Sequence, residues 1–322
     1  MGTLTGPPKP RVRPPALRPG DTVGIIAPAS NIKRDALLAG CEGLRRLGYN
    51  SAYNESILEN DLYFAGSEQR RLSELHGMFQ REDVRAIVCA RGGYGANYLV
   101  DGVDINLIRR HPKIFVGYSD ITSLLTLFCD EAGLTVFHGP MATKDFVEDN
   151  GLDVASWQSA LGAASSWEAD NSGVQGLAPG KAEGVFYGGC LPMLTATLGT
   201  RHEVETAGTI LFLEDIGSKP YQIDRMLMQL KLAGKFEGVR GVVFGQMNDC
   251  TQHPQQPYTL EEVVLRIVGP LGVPVAFGLR SGHVPQRNIT LPIGVRARLV
   301  ILDNQVKDNQ VKLQFLESAT TA

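Results

Sequence analysis

The chain has 322 residues, 43% of them apolar and 20% charged, a balance found in soluble globular proteins with room for two domains. Its 31 basic and 34 acidic residues leave a formal charge of −3 with no long run of either sign, which argues against nucleic acid or a membrane surface as partner. The five cysteines, Cys41, Cys89, Cys129, Cys190 and Cys250, are far apart and form no C-x-x-C pair, so neither a disulfide framework nor a zinc site is expected and a reducing, cytoplasmic setting is.

Residues 1–20 are rich in proline and basic side chains and lack the apolar centre of a signal peptide, which reads as a flexible lead-in. No apolar run reaches membrane-spanning length. Residues 22–27 then read as a buried strand that opens into the loop Pro28-Ala-Ser30. Helical spacing predicts a helix over 34–47, stopped by Gly48, and a second over 67–80 capped by Ser67. A strand over 49–58 is expected between them. Residues 84–90 form the next strand and run directly into Arg91-Gly-Gly-Tyr-Gly95; a short helix over 104–109 follows.

The stretch around which the first half is organised comes next. Residues 114–117 are apolar and follow Pro112, as a buried strand would. From Asp120 onward Ile121, Leu124, Leu125, Leu127 and Phe128 recur at helical spacing. Ser119 therefore falls on the sharp turn between strand and helix, where free N–H groups favour negative charge. That is the setting of a nucleophile elbow, although Ile121 replaces the last glycine of G-x-S-x-G. The competing reading is a helix N-cap. A strand over 134–137 ends at His138-Gly-Pro140.

Strands alternating with helices imply a parallel sheet covered on both faces, with ligands at the carboxyl ends of the strands. The loop at Ser30, the glycine-rich loop, Ser119 and His138 all fall there. Residues 161–180 turn to Ala, Ser, Gly and Asn with little periodicity and read as a linker. The expected organisation is thus a lead-in (1–20), an N-terminal α/β domain (21–160), the linker, and a C-terminal domain (181–317) of mixed α+β character rich in β-structure.

A serine nucleophile needs a base and a carboxylate that orients it. Of the six histidines, His76, His111, His202 and His253 read as surface or structural. His283 lies in a polar loop bracketed by two strands, which suits a general base. His138 is the competing base, or a residue behind the site. Leu211-Phe-Leu-Glu-Asp215 places two carboxylates at the end of an apolar strand; Glu214 would orient His283, with Asp215 the alternative. The glycines after Arg91 lack the Lys-Ser/Thr of a P-loop and allow the close backbone approach of an oxyanion hole. The donor pair would be the amide of Asp120 with that of Gly92 or Gly93. Arg91, with its forked donors, is the candidate for binding a substrate carboxylate, alongside Gly92; the other reading is a structural arginine.

With these residues assembled, the chain resembles the LD-carboxypeptidase family of serine peptidases. The matching stretches are Leu17-Arg-Pro-Gly-Asp-Thr-Val-Gly-Ile-Ile-Ala-Pro-Ala-Ser30, Ala90-Arg-Gly-Gly-Tyr-Gly95, Val116-Gly-Tyr-Ser-Asp-Ile-Thr122 and Phe137-His-Gly-Pro-Met141, then Phe212-Leu-Glu-Asp215, Ile223-Asp-Arg-Met-Leu227, Ser281-Gly-His283 and Leu291-Pro-Ile-Gly294. They occur in family order. The resemblance implies a glutamine-amidotransferase-like N-terminal domain and a Ser119–Glu214–His283 triad assembled across two domains. It also implies an oxyanion hole from the amides of Gly93 and Asp120. The activity implied is release of the terminal D-alanine of murein tetrapeptides in peptidoglycan recycling, by a cytoplasmic, commonly dimeric enzyme without metal or cofactor. The sequence departs from the family pattern at Gly188-Gly-Cys-Leu-Pro192, where Asn usually follows the glycines.

One rival resembles the microcin C immunity peptidase, which cuts an aminoacyl-nucleotide amide and calls for an aromatic residue stacked on adenine, with Trp157 and Trp167 as candidates. A rival of another class is a non-catalytic binder of peptidoglycan fragments.

Overall fold

The computed structural model describes residues 11–251, 255–302 and 311–322; His253 lies outside them. Five strands of the first half, β1 (Thr22–Ile26), β2 (Asn50–Ala52), β3 (Val84–Cys89), β4 (Ile114–Gly117) and β5 (Val136–His138), pair in parallel in the order β5-β4-β3-β1-β2. The helices between them are α1 (Arg34–Arg46), α2 (Glu68–Gln80), α3 (Ile105–Arg110) and α4 (Thr122–Leu127). Strand β4 is buried along its whole length and β3 along all but Arg85, as expected of a sheet covered on both faces. Ser67 caps α2 as expected, its Oγ accepting from the Arg70 amide at 3.2 Å. The strand expected over 49–58 is shorter, because the chain leaves the sheet at Ala52 and winds into a 3₁₀ turn over Glu55–Leu58.

After α5 (Val154–Leu161) the chain builds a second sheet. Its strands are β6 (Trp167–Glu168), β7 (Gln175–Ala178), β8 (Gly180–Cys190), β9 (Thr209–Glu214), β10 (Gly241–Gly245) and β11 (Val275–Leu279). Helices α6 (Leu191–Ala196), α7 (Pro220–Leu232) and α8 (Leu260–Val268) lie between them. The last strands are β12 (Leu291–Ile293), β13 (Val295–Ile301) and β14 (Val311–Phe315). The order is β6-β14-β13-β8-β9-β10-β11-β7, parallel from β8 to β11 and antiparallel towards both edges. This is the mixed, β-rich character expected of the second half.

Three further features differ from the sequence reading. Strand β12 does not join its neighbours: it pairs antiparallel with β5 and closes the first sheet, an edge position that tolerates Pro292. The chain then crosses to the second sheet at Gly294, whose φ of +93° is open to glycine. Residues 161–180, low in periodicity, nonetheless supply β6 and β7, two short edge strands that need little apolar content. Residues 11–20 are tied down: Val12 bridges Leu134, Pro15 bridges Thr321, Arg13 pairs with Glu317, and Ala16 and Leu17 are buried. One continuous cluster of buried apolar side chains runs through both sheets.

Candidate active site

Ser119 stands at φ +63°, a left-handed conformation that a non-glycine residue holds only where the surroundings impose it. The turn follows β4 directly and leads through a 3₁₀ turn over Ser119–Ile121 into α4. Gly117 explains how the elbow forms without its last glycine. A Cβ there would come within 2.8 Å of Ile121 Cγ2, so the first glycine makes the room that the isoleucine takes up. Ser119 Oγ meets His283 Nε2 at 3.0 Å, and His283 Nδ1 meets Glu214 Oε2 at 2.7 Å. The His283 amide donates to the same oxygen at 3.2 Å. Three residues that the sequence reading put together from separate stretches thus form one hydrogen-bonded row.

Glu214 ends β9 and is buried, as are both glycines that wall it, Gly245 and Gly282. Burial alone would push its carboxyl up. The charge of His283 and hydrogen bonding from His138 and His283 outweigh that and hold it well below the usual carboxylate range. The row is therefore ready to place a proton on His283 Nδ1 and leave Nε2 facing the serine. Asp215, the alternative acid, points elsewhere, with its Oδ1 accepting from the Ile216 amide at 2.8 Å. The Tyr118 ring stands edge-on to the His283 ring at 5.1 Å and limits its rotation.

The glycine-rich loop after β3 lies against the elbow. A Cβ on Gly92 would approach Ser119 Cβ to 2.8 Å and the Asp120 nitrogen to 3.3 Å, so only glycine lets the loop come this close. Gly93 has φ +102°. Several contacts brace the loop: Ser30 Oγ accepts from the Tyr94 amide at 3.0 Å, Asp120 Oδ2 accepts from the Ala96 amide at 2.7 Å, and the buried Arg71 donates to the carbonyls of Pro28 and Gly95 at 2.8 and 2.7 Å. Burial raises the Asp120 carboxyl to about 6, against the pull of the Ala96 and Gly95 amides and Arg71. A braced loop and a helix start that meet beside one hydroxyl can offer two amides to a developing oxyanion.

A cleft of about 900 Å³ opens over this row and is lined by Arg91, Gly92, Gly93, Ser119, Lys144 and His283 among others. Arg91 donates to the Asn31 carbonyl at 3.4 Å. Lys144 donates to Tyr118 Oη at 3.0 Å. Lys144 and Gly282 were not singled out by sequence reasoning. Gly282 sits inside a quoted motif and was open to discovery, whereas nothing in the pattern marks Lys144. His138, the competing base, is fully buried behind Glu214. His76 accepts from the Asp104 amide and His202 lies between Asp101 and Glu131, both structural as expected. Trp157 is buried against Phe146 and Tyr49, and Trp167 packs on Phe315, so neither lines the cleft. Among the described residues no group of three His, Cys, Asp or Glu side chains is arranged to hold a metal ion, and no helix is long and apolar enough to cross a membrane.

Residues 23–139 match the family model of the LD-carboxypeptidase N-terminal domain, and residues 183–299 match that of the C-terminal domain. The chain belongs to the LD-carboxypeptidase family. Membership makes it a hydrolase of the carboxypeptidase class. It is 40% identical to a probable murein peptide carboxypeptidase of Bacillus subtilis, over 89% of this chain and 91% of the relative. It is 32% identical to the murein tetrapeptide carboxypeptidase of Pseudomonas aeruginosa, over 86% and 92% of the two chains. The microcin C7 self-immunity protein MccF of Escherichia coli is 27% identical over 93% and 95%. Among solved structures, the muramoyltetrapeptide carboxypeptidase from Oxalobacter formigenes superposes with a TM-score of 0.79 at 26% identity, covering 93% of this chain and all of that one. That structure therefore shares both halves of this architecture.

Proposed function

We propose that this protein is a serine-type L,D-carboxypeptidase that hydrolyses the bond between the L-centre of diaminopimelate and the terminal D-alanine of murein tetrapeptides. The observation that carries the reading is the row Ser119–His283–Glu214, with contacts of 3.0 and 2.7 Å, at the floor of an open cleft. In this reading His283 takes the proton of Ser119 as Oγ attacks the scissile carbonyl. The amides of Gly93 and Asp120 receive the oxyanion, and His283 then protonates the departing D-amino acid. Water reverses these roles and frees the acyl group from Ser119. Arg91 at the mouth of the cleft would bind the terminal carboxylate. The enzyme would act in the cytoplasm, as a homodimer, on recycled wall fragments.

The likeness to MccF supports a second reading, cleavage of an aminoacyl-nucleotide amide by the same row. That reading lacks its expected aromatic platform in Trp157 and Trp167, which pack elsewhere. Incubation with a murein tetrapeptide and with an aminoacyl sulfamoyl adenylate, read by mass, separates the two. Release of D-alanine from the tetrapeptide supports the first; cleavage of the adenylate alone supports the second; no product from either points to a binding protein.

A further inference from the structure

Two histidines approach Glu214, and the mechanism above uses one of them. His138, the last residue of β5, is fully buried. Its Nδ1 lies 3.0 Å from Ser281 Oγ; that hydroxyl donates its hydrogen to the Ile289 carbonyl at 2.8 Å, so Nδ1 carries a proton and donates to Oγ. The ring stands edge-on to Phe212 at 5.0 Å and lies 5.9 Å from the Tyr118 ring. These contacts aim Nε2 at Glu214 Oε1, 3.7 Å away, while Oε2 is taken by His283. Among the described residues both His138 Nε2 and Glu214 Oε1 are sealed from solvent and have no other hydrogen-bond partner.

A bare ring nitrogen facing a carboxylate oxygen in a dry site would set two lone pairs against each other. Because Nδ1 already donates to Ser281, a second proton on Nε2 makes the ring an imidazolium and turns the 3.7 Å contact into an ion pair with the carboxylate. We propose that His138 is a positioning residue for the acid: its Nε2–H holds Glu214 Oε1 so that Oε2 stays on His283 Nδ1 throughout the reaction. When His283 takes up the serine proton, charge develops on one side of the carboxylate only. A second anchor keeps the carboxylate from swinging towards it, and the 3.7 Å gap is of the kind that tightens in a substrate complex. The titratable groups that face His138 are Glu214 from β9 and Tyr118 from the elbow, with His283 beyond Glu214. The proposal rests on the triad reading, not on the identity of the peptide.

The test exploits amide isosteres. A glutamine at 138 places its nitrogen near the position of Nε2, whereas an asparagine places its nitrogen near Nδ1. The readouts are kcat and KM on the peptide, and the rate at which a fluorophosphonate labels Ser119, which needs no knowledge of the substrate. His138→Gln is expected within about tenfold of wild type and His138→Asn slowed about 10²-fold in kcat and in labelling, with KM unchanged. Equal rates for the two variants, or a faster asparagine variant, would overturn the proposal. Should either variant fail to fold, ¹⁵N-histidine spectra of the wild type and of Glu214→Gln decide the matter. A protonated Nε2 on His138 that shifts in Glu214→Gln supports the contact, and an unprotonated Nε2 refutes it. A wild type that labels at Ser119 but spares the tetrapeptide sinks only the substrate assignment. A wild type that does not label sinks the triad and this proposal together.

Discussion

Gly282 stands directly over the carboxylate of Glu214: a Cβ there would lie 2.5 Å from Oε2, the oxygen that His283 contacts. The residue also holds φ +95°, which an alanine takes up only under strain. Gly282→Ala must therefore push the acid away or pull the His283 loop off it, a displacement of about 1 Å that typically costs on the order of 10² in rate. The expected outcome is a drop of about that size in kcat/KM with the far-ultraviolet circular dichroism unchanged. Wild-type rates from the alanine variant would show that the row tolerates movement and is not the catalytic geometry.

The two neighbouring acids at the end of β9 should behave very differently. Glu214→Gln keeps the shape but offers an N–H or a neutral oxygen to His283 and favours the wrong tautomer, for which a loss of about 10⁴ in kcat is expected. Asp215 accepts from the Ile216 amide and the Ser218 hydroxyl and makes no contact with His283 in the row, so Asp215→Asn should stay within about tenfold. Steady-state rates for the pair check this, and the reverse ranking would move the acid by one residue.

Far from the cleft, Asp130 accepts a hydrogen bond from the buried Tyr187 hydroxyl. Burial pushes its carboxyl up from 3.8 to about 6 against that hydroxyl and Arg11. Between these pH values the folded chain keeps a proton that the unfolded chain has released. Its contribution to stability is thus full below about pH 4 and lost as pH rises through about 6. Asparagine cannot ionise, so the melting temperature of Asp130→Asn relative to wild type should rise from about pH 4 to about pH 7. A difference that stays flat, or falls, across that window would contradict the account.

The proposed recognition of the terminal carboxylate falls to Arg91, which in the free protein donates to the Asn31 carbonyl. Arg91→Ala should raise KM for the tetrapeptide by about tenfold or more, while leaving the weak cleavage of a C-terminally amidated peptide unchanged. Equal effects on both peptides would make Arg91 structural and turn attention to Lys144, which also lines the cleft.

Much of this arrangement was legible in the residues. Short apolar runs and period-3.6 patterns in the first half placed its five parallel strands, because buried strands and amphipathic helices announce themselves locally. The elbow at Ser119, Glu214 at a strand end and His283 in a bracketed loop were each readable for the same reason. What brings them together was not. The crossing of β12 to pair with β5 joins residues about 150 positions apart, and no local pattern encodes it. The edge strands β6 and β7 were lost in a stretch poor in apolar residues. Nor does sequence spacing show that His138 lies behind Glu214, since only the fold brings β5 and β9 to the same place.

The central claim is that Ser119 is the nucleophile acting on a murein tetrapeptide. The direct measurement is mass analysis of the purified wild-type protein and Ser119→Ala, each incubated with the tetrapeptide and quenched at short times. The account predicts D-alanine release and a transient acyl adduct on Ser119 in the wild type, with no adduct and a rate lower by about 10⁴–10⁶ in the variant. Release by Ser119→Ala at a rate near wild type, with no adduct in either protein, would contradict it.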